Sequence, residues 1–303
     1  MTELKTPVLF LVFNRPDTTK RVFERIREVR PPRLYIAADG PRENRKGEVQ
    51  KCEQVREIVT NVDWDCKLKT FFRDKNLGCK DAVSGGIDWF FKNEEMGIIL
   101  EDDCLPNIDF FLFCEILLHK FKNEDQIMHI GGTNPIAQKQ LSNSYYFSNY
   151  NRIWGWATWR KSWEKVEFNK DFWIEIKKSD RLKSIFNDRE YEHWCHIFDK
   201  VYSGQIDTWD YQWFLSRLVH GLAIIPNVNL VKNIGFSEEA THTTNTEHHL
   251  ANMKYGKLTY PINHPENIKV NEEMDEKWSK YVLETTNENV IKKLKKILQW
   301  VKG

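Results

Sequence analysis

Gly97-Ile98-Ile99-Leu100-Glu101-Asp102-Asp103 is an apolar run that ends in three consecutive carboxylates. The apolar part has the length and β-branched content of a buried strand. Three like charges side by side repel one another and are costly to desolvate, so such a cluster is either solvated or neutralised by a cation. Two readings follow. In one, the carboxylates are hard oxygen ligands suited to Mg²⁺ or Mn²⁺, placed at the C-terminal end of a strand, where open α/β sheets bind ligands. In the other, they form an acidic turn that begins a helix, with Asp102 or Asp103 near its cap.

Working outward from this stretch, strand-like and helix-like segments alternate. Residues 7–13, 34–38, 67–72 and 96–100 read as strands. Between them, helical periodicity runs from Asp17, a candidate N-cap, to about residue 29, then over 43–59 and 81–91. Pro106 is expected to open a further helix through Phe121. This β-α-β-α order predicts an α/β fold with a mostly parallel central sheet flanked by helices. The strand ends on one rim then carry Asn14-Arg15-Pro16, Asp39-Gly40-Pro41-Arg42, Arg73-Asp74 and the acidic triplet. Two basic and two acidic features on one rim suit an anionic ligand held together with a metal.

The second half is less regular. Strands are expected over 126–131 and 145–148, helices over 181–201 and 210–220, and a last strand-like run over 222–231. The reading divides the chain into a domain over 1–245 and a polar C-terminal extension over 246–303. The extension ends in an amphipathic basic helix, where Lys292, Lys293, Lys295 and Lys296 surround Ile291, Leu294, Ile297 and Leu298. That helix suits either peripheral contact with an anionic membrane or docking on the domain.

Composition narrows the function. A net charge of +1 over 303 residues gives no general attraction to nucleic acid. The six cysteines show no CxxC pair, which argues against zinc and fits a reduced, cytoplasmic setting. No secretory leader or membrane span is expected. No GxGxxG follows the first strand and no Walker A loop occurs, which disfavours dinucleotide-binding Rossmann domains and P-loop NTPases. Twelve tryptophans are many for this length, and their faces suit both a core and a sugar-binding groove.

The ordered series Val12-Phe13-Asn14-Arg15-Pro16, Ala37-Ala38-Asp39-Gly40, Asn76-Leu77-Gly78 and Ile99-Leu100-Glu101-Asp102-Asp103-Cys104-Leu105-Pro106-Asn107-Ile108-Asp109-Phe110-Phe111 resembles the GT-A-fold nucleotide-diphospho-sugar transferases. The likeness is to N-acetylglucosaminyltransferase I and its relatives, and to bacterial glycosyltransferase-like or haemolysin-like proteins. It spans roughly residues 6–245 and is strongest over 6–115.

The resemblance implies roles position by position. Arg15, beside Asn14, would meet the donor phosphates, and its fork geometry suits them. Asp39 would hydrogen-bond a uracil base. Arg73, Asn76 and Lys80 would lie near the donor. Asp103 would ligate the metal, Mn²⁺ or Mg²⁺, while Glu101 and Asp102 address sugar and ribose hydroxyls. Trp154-Gly155-Trp156 would border the sugar and acceptor site, with Trp156 facing the ligand and Gly155 admitting close backbone approach. Asp210, within Thr208-Trp209-Asp210-Tyr211, aligns with the catalytic base of inverting enzymes, although Asp207 lies one helical turn away. An acid among aromatic side chains is desolvated and becomes a better base. His242 would add a late ligand to the metal or pyrophosphate.

The implied activity is a metal-dependent, inverting glycosyltransferase. It would move a hexose or N-acetylhexosamine from a nucleotide-sugar donor, a UDP-sugar, to a glycan or lipid-linked acceptor. Two alternatives stay open: a sugar-phosphate nucleotidyltransferase, and a non-catalytic sugar-binding module on the same fold.

Overall fold

Val8–Val12 carries no polar side chain, and in the computed structural model it forms β1, buried at every position. The structure describes residues 4–137, 142–235 and 253–285. After β1 come α1 (Pro16–Val29), β2 (Arg33–Ala38), α2 (Glu48–Thr60), β3 (Lys67–Phe72), α3 (Gly78–Phe91) and β4 (Met96–Glu101). Then follow β5 (Cys104–Pro106), α4 (Ile108–Lys120), β6 (Ile127–Gly131), β7 (Tyr145–Ser148), β8 (Trp156–Trp159) and α5 (Arg160–Trp163). The series closes with α6 (Lys170–Lys178), α7 (Asp188–Tyr202), α8 (Asp210–His220), β9 (Leu222–Pro226) and β10 (Val231–Asn233). Residues 272–285 are also helical.

Among the described residues, one sheet of eight strands runs in the order β3-β2-β1-β4-β8-β6-β9-β7. Its first four strands are mutually parallel. β8 reverses direction between β4 and β6, and β7 is antiparallel to β9. The expected α/β architecture is therefore observed. Because β3, β2, β1 and β4 point the same way, their C-terminal ends share one rim.

Alternation along the strands separates two cores. Val8, Phe10 and Val12 of β1 face Val22, Phe23 and Ile26 of α1 and the phenylalanines of α4. Leu9 and Leu11 face the other way, onto Ile87, Phe90 and Phe91 of α3 and a group of buried tryptophans. Helices thus cover both faces of the parallel strands, as strands buried on both sides require. A separate helical cluster joins α6, α7 and α8 around Trp194, Phe198 and Phe214.

Several boundaries differ from the sequence expectation, each for a local reason. Pro106 does not open a helix. Cys104–Pro106 is a short strand paired antiparallel with β10, and α4 begins after Asn107, whose side chain accepts from the Phe110 N–H at 3.0 Å. A side-chain acceptor for an orphan N–H decides where this helix starts. Asp17 is inside the first turn of α1, where a carboxylate favours the helix dipole, and Arg15 holds the cap position. α2 starts at Glu48 rather than near 43, and α3 starts at Gly78 rather than 81. The acidic triplet begins no helix: Glu101 ends β4 and a turn leads directly into β5.

Residues 253–285 pack onto the same cores. Leu258 and Ile262 join the α4 side, and Trp278 and Val282 join the helical cluster. Asp275 accepts from the Asn149 N–H at 2.8 Å, and Arg152 lies 3.5 Å above the Trp278 ring. All six cysteines are unpaired thiols. Among the described residues, no helix is long and apolar enough to cross a membrane. The basic segment over 290–303 lies outside the described residues.

Candidate active site

The parallel strand ends bring the first signals together. Beyond β1, the Phe13 N–H donates to Asp102 Oδ2 at 3.2 Å. The Arg15 guanidinium reaches between the last two acids, 2.7 Å from Asp103 Oδ2 and 3.4 Å from Asp102 Oδ1. The Arg15, Asp103 and Asp102 side chains are 28%, 17% and 9% exposed, so Asp103 is the more accessible of the two paired acids. Burial opposes the charge on Arg15, but Asp102, Asp103 and Glu101 outweigh it and push its pKa up.

The acids are under strain of charge. Burial pushes the Glu101 carboxyl well above its ordinary range, and Asp103, Asp102 and Asp210 push it further against the opposing effect of Arg15. Burial likewise raises Asp102, although Arg15 counteracts it. Both groups therefore favour the neutral form more than a solvated carboxyl does.

Asp210 is the first residue of α8 and comes from the far half of the chain. Its carboxylate accepts from Thr208 Oγ1. Its charge raises the pKa of both Glu101 and Cys79, so it lies within electrostatic reach of each. Four buried tryptophans support this position from below. Trp156 stacks on Trp209 with ring centroids 5.6 Å apart, and Trp163 packs on Trp213 at 5.4 Å. Trp209 immediately precedes Asp210 in the chain.

Trp156 therefore does not face a ligand. It has no exposed surface and sits flat against His129, at 5.2 Å and 16°. Large aromatic area excluded from water outweighs any benefit of display on the rim. Gly155 also serves packing: its φ is +64°, and a Cβ there would stand 2.8 Å from Val231 Cγ2. Trp154 is half-buried, packs on the main core, and offers its carbonyl to Thr133 Oγ1 at 2.7 Å.

The donor-side expectations divide. Asp39 turns inward: Oδ1 accepts from the Gly40 N–H at 2.9 Å and the Leu77 N–H at 3.0 Å, and Oδ2 from Asn76 Nδ2 at 2.8 Å. Asp39 and Asn76 thus hold one another and order the β3–α3 loop, instead of presenting free groups on the rim. Arg73 extends from the end of β3 over the Phe71 ring at 4.5 Å, and burial lowers its pKa against the pull of Asp39. The Lys80 ammonium lies 5.8 Å from the Phe168 ring centre. His242 lies outside the described residues, but Gly235 packs directly on Asp103, and the Ile234 N–H donates to the Asp103 carbonyl at 2.8 Å.

Two residues, Glu48 and Cys79, escaped sequence reasoning, and Glu48 draws the expected ligand-binding Asn14 to itself. Asn14 donates to Glu48 Oε1 at 2.8 Å, and Arg42 clasps the same carboxylate through Nε at 3.0 and 3.1 Å. The Arg42 hydrogen bonds hold Glu48 down to about 2 against the cost of burial. Nothing in the spacing of Asn14, Arg42 and Glu48 advertises this clasp. Cys79, at the start of α3, lies among Glu101, Asp210, Asp207 and Asp39, and burial with those charges pushes its thiol up to about 12. That thiol stays protonated at neutral pH and is a poor nucleophile.

The donor set can be tested against a divalent cation. Among the described residues, no three Asp, Glu, His or Cys side chains form a ready-made cage. Hard carboxylate oxygens, with Glu101 and Asp103 partly exposed and Asp102 buried, instead fit the habit of Mg²⁺, which uses one or two carboxylates and completes its shell with water and substrate phosphates.

No protein-family model matches the chain, and no curated protein sequence does. Among solved structures, the chain is similar to HddC from Yersinia pseudotuberculosis, at 11% identity over 52% of this chain and 77% of that one, with a TM-score of 0.33. A UDP-glucose pyrophosphorylase complexed with UDP-glucose gives 10% identity over 55% and 80% of the two chains, with a TM-score of 0.33. The 4-diphosphocytidyl-2C-methyl-D-erythritol synthase from Anaerococcus prevotii gives 8% identity over 53% and 76%, with a TM-score of 0.31.

Proposed function

We propose that this chain is a metal-dependent, inverting glycosyltransferase of GT-A type that uses a nucleotide-sugar donor, a UDP-sugar, and an acceptor hydroxyl on a glycan or lipid-linked glycan. The observation that carries this reading is the placement of Asp210, from the second half of the chain, near the end of β4: Trp209, just before it, stacks on Trp156, which pairs with Ile99, two residues before Glu101. A base and an anion-and-cation platform on one rim are the two things the transfer needs.

In this reading Asp210 accepts the proton of the acceptor hydroxyl as that oxygen attacks the anomeric carbon from the face opposite the leaving nucleotide. A positioned base of this kind contributes about 10²–10⁴-fold in rate. Arg15 swings between two duties. Without donor it neutralises Asp102 and Asp103; with donor it turns its fork to the diphosphate. Arg73 adds positive charge at the end of the neighbouring strand. Asp103 would hold Mn²⁺ or Mg²⁺, a Lewis acid that offsets charge on the leaving diphosphate. Asp39 and Asn76 act indirectly, by fixing the loop that borders the nucleotide.

Calorimetric titration of UDP-, GDP- and dTDP-sugars, with Mn²⁺ and with chelator, tests the reading. Mn²⁺-dependent binding of one UDP-sugar supports it and names the donor for an acceptor screen. No binding by any donor to the folded protein overturns it. Pyrophosphate release from a nucleoside triphosphate and a sugar phosphate would assign nucleotidyl transfer instead.

A further inference from the structure

Asp207 and Asp210 lie one helical turn apart, yet the structure gives them different work. The Asp207 side chain crosses to the other half of the molecule, where Oδ2 accepts the Cys79 N–H at 3.1 Å in the first turn of α3. The neighbouring residue, Gly78, has φ of +82°, and a Cβ there would stand 2.8 Å from the same Oδ2. The carboxylate therefore fills the space that the absent side chain leaves. On the other side of this junction, Leu77 and Asn76 are tied to Asp39 by hydrogen bonds at 3.0 and 2.8 Å. On the near side, Thr208 follows Asp207 directly and donates to Asp210. Hydrogen bonds and the short backbone stretches between them thus link the end of β2, through the β3–α3 loop, to the first residue of α8.

We infer that Asp207 is a positioning residue that latches the β3–α3 loop to the segment carrying Asp210, and so fixes the base relative to the acidic turn. The catalytic part rests on the transferase reading above; the latch itself does not. Two properties suit Asp207 to this work. It is an exposed carboxylate at a helix N-terminus, where its charge is favourable without desolvation. It also joins elements separated by 128 residues, so that its loss loosens two loops at once.

The test uses the full chain with Asp207→Ala and Asp207→Asn. An amide oxygen can still accept the Cys79 N–H, whereas a methyl group cannot. Amide hydrogen exchange over residues 76–80 is expected to quicken about tenfold in D207A and to stay near wild type in D207N. Unchanged exchange in D207A overturns the latch. With the donor identified, D207A is expected to lower kcat about tenfold while donor affinity stays within about twofold, and D207N to restore kcat to within about threefold. A loss in D207N as large as in D210N would make Asp207 the proton acceptor and overturn the assignment. Faster exchange in D207A, in a protein that binds no nucleotide sugar, would uphold the latch and reject the transferase reading.

Discussion

The Trp213 indole donates its Nε1–H to Nδ1 of His129 at 3.2 Å. Indole nitrogen is a donor only, so Nδ1 must accept and the proton of the neutral imidazole is on Nε2. That Nε2–H then donates to the Arg152 carbonyl at 2.9 Å. A second ring proton would meet the Trp213 N–H head on, beside the flat face of Trp156. Burial pushes the His129 pKa down to about 3, with Arg217 and Arg152 adding to the effect against the pull of the Arg152 carbonyl.

This geometry predicts an acid-sensitive contribution from His129, opposite in sign to that of Asp102 and Glu101, whose raised carboxyls lose stability as pH rises. The unfolded chain takes up a proton near pH 6.5 and the folded chain only near 3, so between these values the unfolded state binds more protons and stability rises with pH. The His129 contribution is constant above about pH 6.5 and falls as pH drops below it, by about 2 kcal/mol at pH 5. Urea unfolding from pH 8 to 5 measures the slope. His129→Gln should make the slope of stability with pH less positive than in wild type; an unchanged slope would remove His129 as a contributor.

Trp156 distinguishes a core residue from a displayed one. Trp156→Ala should cost about 3–5 kcal/mol of stability. Trp156→Phe should cost less and leave donor affinity within about twofold. A Phe variant that keeps its stability but loses ligand affinity would contradict the buried position.

Asp103 is the accessible acid beside Arg15. Asp103→Asn should weaken Mn²⁺-dependent donor binding at least about tenfold, because one charged oxygen donor is lost from a shell that contains few protein ligands. Equal affinity in wild type and variant, measured calorimetrically, would exclude Asp103 as a ligand.

Asp210→Asn should leave donor affinity unchanged and lower kcat by about 10²–10⁴-fold. A rate near that of wild type would end its role as base. Separate measurement of donor binding and turnover is essential here, since an effect on both would point to collapse of the tryptophan support beneath α8.

Glu48 carries a second pH signature. Its carboxyl is held at about 2 by Arg42, so its contribution is complete above about pH 4.5 and is lost as pH falls toward 2. Arg42→Ala should remove part of this acid-limb stability and leave Glu48 with the Asn14 amide as its remaining side-chain donor. Coincident acid unfolding curves would show that the clasp contributes nothing.

Much of this was legible in the sequence. Runs such as Val8–Val12 and Ile98–Leu100 are apolar at consecutive positions, the mark of strands buried on both faces, and they were followed by helical periods. Alternation alone therefore set the α/β class, the parallel strands and the shared rim of Arg15, Asp39, Arg73 and the acidic triplet. The roles of single residues on that rim were less legible. A carboxylate after a strand reads the same whether it faces a ligand or ties a loop, and Asp39 ties a loop. A tryptophan reads the same in a groove or a core, and Trp156 is core.

Local periodicity and the order of elements can be read from the chain alone, because backbone geometry and burial of one face follow from neighbours in the chain. Which distant groups meet is settled by three-dimensional packing. Asp207 stands by Cys79, Glu48 by Asn14 and Arg42, and Asp210 within electrostatic reach of Glu101. Such meetings depend on how far each loop carries its side chains across the rim, and that is fixed by packing between elements rather than by spacing within any of them.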